Sequence, residues 1–158
     1  MSPSLDDLVR LGKIKLWVPD LGPRRQPYRR LFVTGEFQTW AQSLSGERRG
    51  RSLLAPRVEI ATIAADFVAG EKVVSFIHSI SPPRGEGILR VNTTSLRLAG
   101  WCPAKQTLIL GLGALADETH GPGRRLETLG REVVRIRRDM GVTQWAKGEF
   151  YELFRSER

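Results

Sequence analysis

The chain has a single cysteine, Cys102, in 158 residues. One thiol excludes an intrachain disulfide and a multi-cysteine zinc site. Histidine is nearly as scarce. His78 and His120 are too few and too far apart to resemble a zinc pattern, so neither a metal nor a cofactor is expected. No apolar run approaches the ~20 residues of a membrane span, which predicts no membrane partner. The amino-terminal MSPSLDDLVRLGKIK carries acidic residues early and lacks a long apolar core. It does not read as a secretory signal, and a cytoplasmic protein is the simplest expectation. Nucleotide and hydrolase motifs are missing as well. GLGALA lacks the spacing of a dinucleotide fingerprint, and neither a GxxxxGK[ST] phosphate loop nor a GxSxG elbow occurs. The carboxylates are scattered, with no strand-end pair of the glycosidase kind.

Negative charge is also in short supply. Lys and Arg total 25 against 17 Asp and Glu, a formal net charge of +8, and most of the cations are arginine. Guanidinium suits bidentate phosphate contact and stacking on bases. The excess favours a polyanionic partner: RNA or the ribosome, DNA, or a strongly acidic protein. The hydrophobic fraction of 41% is ordinary, and the length fits one domain with extensions.

Three segments are expected along the chain. Residues 1–28 read as a basic N-terminal extension: KIKLWV alternates as a short strand, and PDLGPRRQPYRR is a Pro-rich basic loop or arm. Residues 29–141 read as an α/β domain and residues 142–158 as a helical tail. In the domain, RRLFVT is a strand, and TGEFQTWAQSL switches to helical spacing with Thr34 as N-cap. SGERRGRS is a loop carrying Arg48, Arg49 and Arg51. Pro56 opens a second helix that Gly70 stops; its apolar residues fall on two sides, which predicts a sandwiched helix. KVVSFIHSI, ILRVN, SLRLAGW and TLILGLGALA then follow as strands joined by short turns, an antiparallel meander. The expected fold class is therefore α+β: an antiparallel sheet of about four to five strands packed by two N-terminal helices and a C-terminal helix.

The last helix, RRLETLGREVVRIRRDM, is the clearest periodic segment. Leu126, Leu129, Val133, Ile136 and Met140 form a narrow apolar seam, with Arg124, Arg131, Arg135 and Arg138 on the opposite side. The stripe reads as a solvated helix face or as a phosphate-tracking surface. Together with Arg48, Arg49 and Arg51 it makes the candidate nucleic-acid-binding set.

Arg90 and Arg97 raise a different question, because they sit inside strands. RNA cleavage needs no metal: the ribose 2′-hydroxyl already lies beside the scissile phosphate, and positioning it in line supplies much of the acceleration. Fixed guanidinium groups stabilise the charge that builds on the phosphate oxygens. A nuclease of this kind would look, in sequence, like a sheet with arginines on one face.

The order strand, helix, helix, antiparallel strands, helix resembles the RelE/HigB/ParE superfamily of toxins from toxin–antitoxin pairs. The residues that carry the resemblance are FVTGEFQTWAQSL, PRVEIATIAADFVAG, GILRVNTTSLRLAGW and TLILGLG, over roughly residues 29–138. It implies a small α/β fold and an endoribonuclease that cleaves mRNA, at the ribosome in many members. It also implies an acidic antitoxin protein as partner. The ParE branch of the family poisons gyrase instead. Arg97 matches the family's third-strand arginine, which contacts the scissile phosphate, and Arg90 matches the arginine of the preceding strand. After the central strand this chain departs from the family. GALADETHG puts Asp117 and Glu118 where cations are usual, and His120 is the candidate general acid or base, since imidazole titrates near neutrality. The alternative expectation is a non-catalytic basic module that binds nucleic acid, or a phage structural or regulatory protein. In that case the strand arginines merely occupy the wet face of a one-sided sheet.

Overall fold

The computed structural model describes residues 2–47, 54–72, 76–80, 83–118 and 125–156, with the side chains of Glu118 and Arg125 excepted. Arg48, Arg49, Arg51, His120 and Arg124 lie outside the described residues. Ser4 starts α1 (Leu5–Arg10) with a reciprocal cap, its hydroxyl accepting from Asp7 N while its own N–H donates to the Asp7 carboxylate. β1 (Ile14–Leu16) follows, then β2 (Arg30–Thr34), α2 (Gly35–Gln42) and α3 (Pro56–Val68). β3 (Ile77–Ser79), β4 (Leu89–Asn92), β5 (Leu96–Trp101) and β6 (Thr107–Leu115) come next. A short 3-10 turn, α4 (Arg125–Asp139) and α5 (Phe150–Leu153) complete the chain. No described helix is long and apolar enough to cross a membrane.

The α+β class stands, but the sheet differs from expectation. It has six strands in the order β1-β2-β6-β5-β4-β3, and β2 pairs with β6 in parallel. The four-to-five-strand antiparallel sheet is corrected on both counts. Local alternation reveals that a segment is a strand, whereas its neighbour is chosen by burial on both faces. LFV of β2 is buried on both sides, and such a strand is stable only in the interior of a covered sheet. The N-terminal residues take part too. Ile14 is buried, and β1 pairs antiparallel with β2 at one edge.

Alternating strand residues feed two cores. Leu31, Val33, Leu89, Val91, Leu96, Leu98, Leu108 and Leu110 point to the layer of α2, α3 and α5. Phe32, Ile88, Ala99, Trp101 and Ile109 point to the layer of α1 and α4, where Leu129, Val133 and Val134 meet them. The expected sandwiching of α3 does not occur: Ile60, Ala64, Phe67 and Val68 are buried, but Val58 is 47% exposed. Ala61 and Thr62 face solvent beside it, whereas Pro56 and Ala65 are buried.

A bulge joins the halves of β6. Ala99 opposes Leu112 while Gly100 opposes Leu110, so Gly111 is the extra residue and the facing of β6 reverses there. Thr34 ties this point to α2. Its Oγ1 donates to Gly111 O at 2.7 Å and accepts from Phe37 N at 3.1 Å, as the N-cap expected of it. A Cβ at Gly100 would overlap the Ile109 carbonyl, which is backbone and cannot move aside. One at Gly111 would meet side chains alone, the nearest a Val133 methyl at 3.0 Å, with the second Val133 methyl at 3.4 Å and the Trp101 ring at 3.5 Å. Gly100→Ala should therefore destabilise by about 3 kcal/mol or more and Gly111→Ala by about 1 kcal/mol. Urea denaturation of the two variants checks the order.

Candidate phosphate-binding face of the sheet

The strand arginines share one face. Arg90 alternates with Leu89 and Val91, and Arg97 with Leu96 and Leu98, all four leucines and valines belonging to the opposite core. Both guanidinium groups thus rise on the α4 side. In the β4–β5 register Arg90 opposes Ala99 and Asn92 opposes Arg97, so the two arginines are diagonal neighbours with side-chain roots about 7–8 Å apart. On the other flank of β4, His78 of β3 lies directly opposite Arg90. On β6 Arg97 faces the small residue Ala114.

The hydrogen-bond inventory separates the two arginines. Arg97 Nη1 donates to Thr93 O at 2.7 Å and to Leu96 O at 2.9 Å, which fastens the β4–β5 turn from one side. Glu59, buried in α3, holds the same turn from the other core: its carboxylate accepts from Ser95 N at 2.9 Å and from the Ser95 hydroxyl. Arg97 Nε and Nη2 carry no bond among the described residues. Burial lowers the Arg97 pKa, and the Arg90 charge lowers it further, against the opposing pull of Glu59. Arg97 remains a cation, since arginine starts so far above neutrality. Arg90 Nε and Asn92 Oδ1, like Trp101 Nε1 and Arg137 Nε elsewhere in the same layer, are buried with no partner among the described residues. Buried polar atoms are normally satisfied, which makes Arg90 and Asn92 candidates for a further hydrogen-bond partner.

The α4 stripe is a different environment. Arg131 pairs with Glu127; Arg135 pairs with Glu132, Glu36 and Asp139; Arg138 pairs with Glu86. These exposed groups are screened by solvent and partly neutralised by neighbouring carboxylates. Arg131, Arg135 and Arg138 stand on the outer side of α4, away from the strand patch, so the candidate cations form two separate sets. The extension's arginines are also partly engaged. Arg25 pairs with Asp66 at 2.8 Å, and Arg29 is buried and bonded to the carbonyls of Phe67, Glu71 and Arg155. Burial pushes Arg29 down to about 10, which still leaves it charged.

Two members of the patch escaped the sequence reading. His78 was weighed only as a metal ligand, and Asn92 was passed over. The signal for both was the hairpin between VVSFIHSI and ILRVN, whose antiparallel register brings His78 opposite Arg90. Arg137, adjacent to the basic stripe, was missed for another reason. It is 1% exposed, its Nη2 donates to Glu86 at 2.6 Å, and its guanidinium lies 3.7 Å from the centre of the Trp145 ring. No family model, curated protein or solved structure matches this chain.

Cys102 is not a nucleophile. It is buried, its Sγ donates to Ala104 O at 3.0 Å, and burial pushes the thiol up to about 12. An unfolded thiol ionises near its ordinary value of about 8.5 while the folded one stays protonated. The unfolded state then binds fewer protons, so stability should fall as pH rises from about 8.5 towards 12, by at most ~1.4 kcal/mol per pH unit. Cys102→Ser should remove that part of the slope, read from denaturation midpoints between pH 7 and 10.

Proposed function

We propose that the chain is an RNA-cleaving toxin whose β4–β5 face grips the scissile phosphate. The observation that supports the reading is the pair of diagonal strand guanidiniums, with Arg90 Nε buried and unpartnered among the described residues and Arg97 bonded there only through Nη1. A phosphodiester offers the acceptor oxygens that such donors lack, and guanidinium binds them in forked pairs. The formal charge of +8 draws RNA in, and the strand scaffold holds the two cations ready.

The reaction is a transesterification. The 2′-oxygen forms a bond to phosphorus as the bond to the 5′-oxygen breaks. The products are a 2′,3′-cyclic phosphate and a 5′-hydroxyl end. Arg90 and Arg97 stabilise the negative charge that accumulates on the non-bridging oxygens. A proton leaves the 2′-hydroxyl and one reaches the departing 5′-oxygen. His78, opposite Arg90, is the described imidazole placed to exchange it, and His120 keeps the same candidacy from outside the described residues. Messenger RNA, at the ribosome, is the proposed substrate, and an acidic antitoxin covering this face the proposed partner.

A second reading has its own support. Arg97 Nη1 fastens the Thr93–Leu96 turn, which is a structural duty, and a non-catalytic nucleic-acid-binding module needs no more than that. Cleavage separates the two. With a labelled RNA oligonucleotide, the protein should yield cyclic-phosphate ends, and Arg90→Ala should lower the rate about 10²–10³-fold. Arg90→Ala is the cleaner probe, because Arg97→Ala also releases the turn. Binding without cleavage would leave the module reading standing. The logarithmic salt slope of binding should shrink by about 0.7 for each single-strand phosphate contact removed.

A further inference from the structure

A cavity lies at the other end of β4. About 410 Å³ in volume, it is a half-open cleft between the β3–β4 hairpin and the chain that runs from Trp145 to Leu153. That volume falls within the ~300–1,000 Å³ of ordinary small-ligand sites. Its walls are apolar and aromatic, with Ile80, Ile88, Leu89, Trp145 and Phe150 among them. Arg84 and Lys147 also line it, both exposed, and no carboxylate does among the described residues. A flat apolar slot with cations at its rim selects a planar ring that carries an anionic group.

The slot is built rather than incidental. Trp145 is braced by the buried Arg137, whose second partner is Glu86 in the hairpin. Gly87 has φ of +64° and lies so close to the indole that a Cβ would overlap the Trp145 ring. The far wall is anchored through Gln106, an αL residue with φ of +61°. Gln106 N donates to Leu153 O at 2.8 Å, and its side chain exchanges bonds with the Arg155 backbone. Ala146 N donates to Cys102 O at 2.8 Å as well. The aromatic surface is therefore pre-positioned, which lowers the ordering cost of stacking a ring upon it.

The cavity also adjoins the patch. Ile88 lines it, and Arg90 is two residues further along the same side of the strand, about 7 Å away. We infer that this cavity is a nucleobase subsite, receiving one base of the RNA strand whose phosphate reaches Arg90, with Arg84 and Lys147 on the neighbouring phosphate. The inference rests on the proposed RNA-binding reading and adds a base-selecting element to it. Stacking on aromatic side chains is the usual way in which single strands are held.

The test uses the whole chain and two probes. Ribonucleoside 5′-monophosphates, titrated by tryptophan fluorescence, report the cavity; a short single-stranded RNA reports the strand patch. Wild-type protein should bind at least one of the monophosphates, and inorganic phosphate should not compete. Ser79→Trp, which fills the cavity from its rim, should weaken monophosphate binding at least tenfold. The double charge reversal Arg84→Glu with Lys147→Glu should do the same at surface positions that do not threaten folding. Arg90→Ala should weaken the oligonucleotide and leave the monophosphate within about twofold. No monophosphate binding up to millimolar concentration, with RNA binding intact, overturns the subsite alone. So does monophosphate binding that neither cavity variant affects. Loss of RNA binding altogether overturns the RNA reading itself, whatever the monophosphates do.

Discussion

A guanidinium withdrawn from water has to be answered by oxygen, and this protein answers its arginines unequally. Arg29 is satisfied almost wholly by backbone: its donors reach Phe67 O, Glu71 O and Arg155 O, and its charge lies 5.1 Å from the Phe67 ring centre. No carboxylate is among these hydrogen-bond partners. The carbonyl ends of α3 supply the negative pole instead. One side chain thereby joins the start of β2, the end of α3 and the C-terminal segment. Arg137 does comparable work on the other face, joining α4, the β3–β4 hairpin and Trp145. Arg97 is bonded through Nη1, and Arg90 Nε, like Arg137 Nε, is buried without a partner among the described residues. Burying polar groups without partners costs several kcal/mol in the limit.

The geometry of the pair follows from the sheet. Parallel pairing of β2 with β6 puts the crossover helices α2 and α3 on one face, so β4 and β5 must present their leucines to that layer. With strict alternation, Arg90, Asn92 and Arg97 are forced onto the opposite side. α4 covers that side only in part. Its apolar seam lies over β5 and β6, with Gly130 approaching Ile80 beside β3. The reversal at Gly111 serves the same end, since it turns Leu112 and Ala114 towards the α4 side and leaves small Ala114 beside Arg97.

Much of this was legible in local pattern. The TT turn and the L-R-L alternation already separated Arg97 from the leucines around it. Thr34 before an i, i+3, i+4, i+7 series announced its own cap, and Pro56 its helix. What stayed hidden depends on distant residues. A run such as LFV states that both faces are covered but not which strand lies beside it, so the parallel β2–β6 pair was invisible. The wheel of α4 correctly put Arg131, Arg135 and Arg138 outward, yet nothing in the wheel shows Glu36 or Glu86 arriving from elsewhere to pair with them. Arg137 was hidden by a related effect, because an arginine beside two aromatic rings can take an apolar position.

If the chain binds RNA as proposed, the unequal treatment of the two basic sets separates sequence-independent attraction from recognition. Helix-borne arginines on α4 are exposed, long and already paired; ordering them on a phosphate costs rotamer entropy and the loss of an existing partner. The strand arginines face neither cost to the same degree. Their roots are fixed by a six-stranded sheet, Arg97 is tethered by its Nη1, and the neighbouring Arg90 charge makes an incoming anion more welcome than either cation would alone. Repulsion between two partly buried cations is a stored cost in the free protein. An anion relieves it, so binding energy is concentrated at the one place where the backbone also holds geometry. On the proposed RNA-binding reading, the outer charges steer and the inner pair decides.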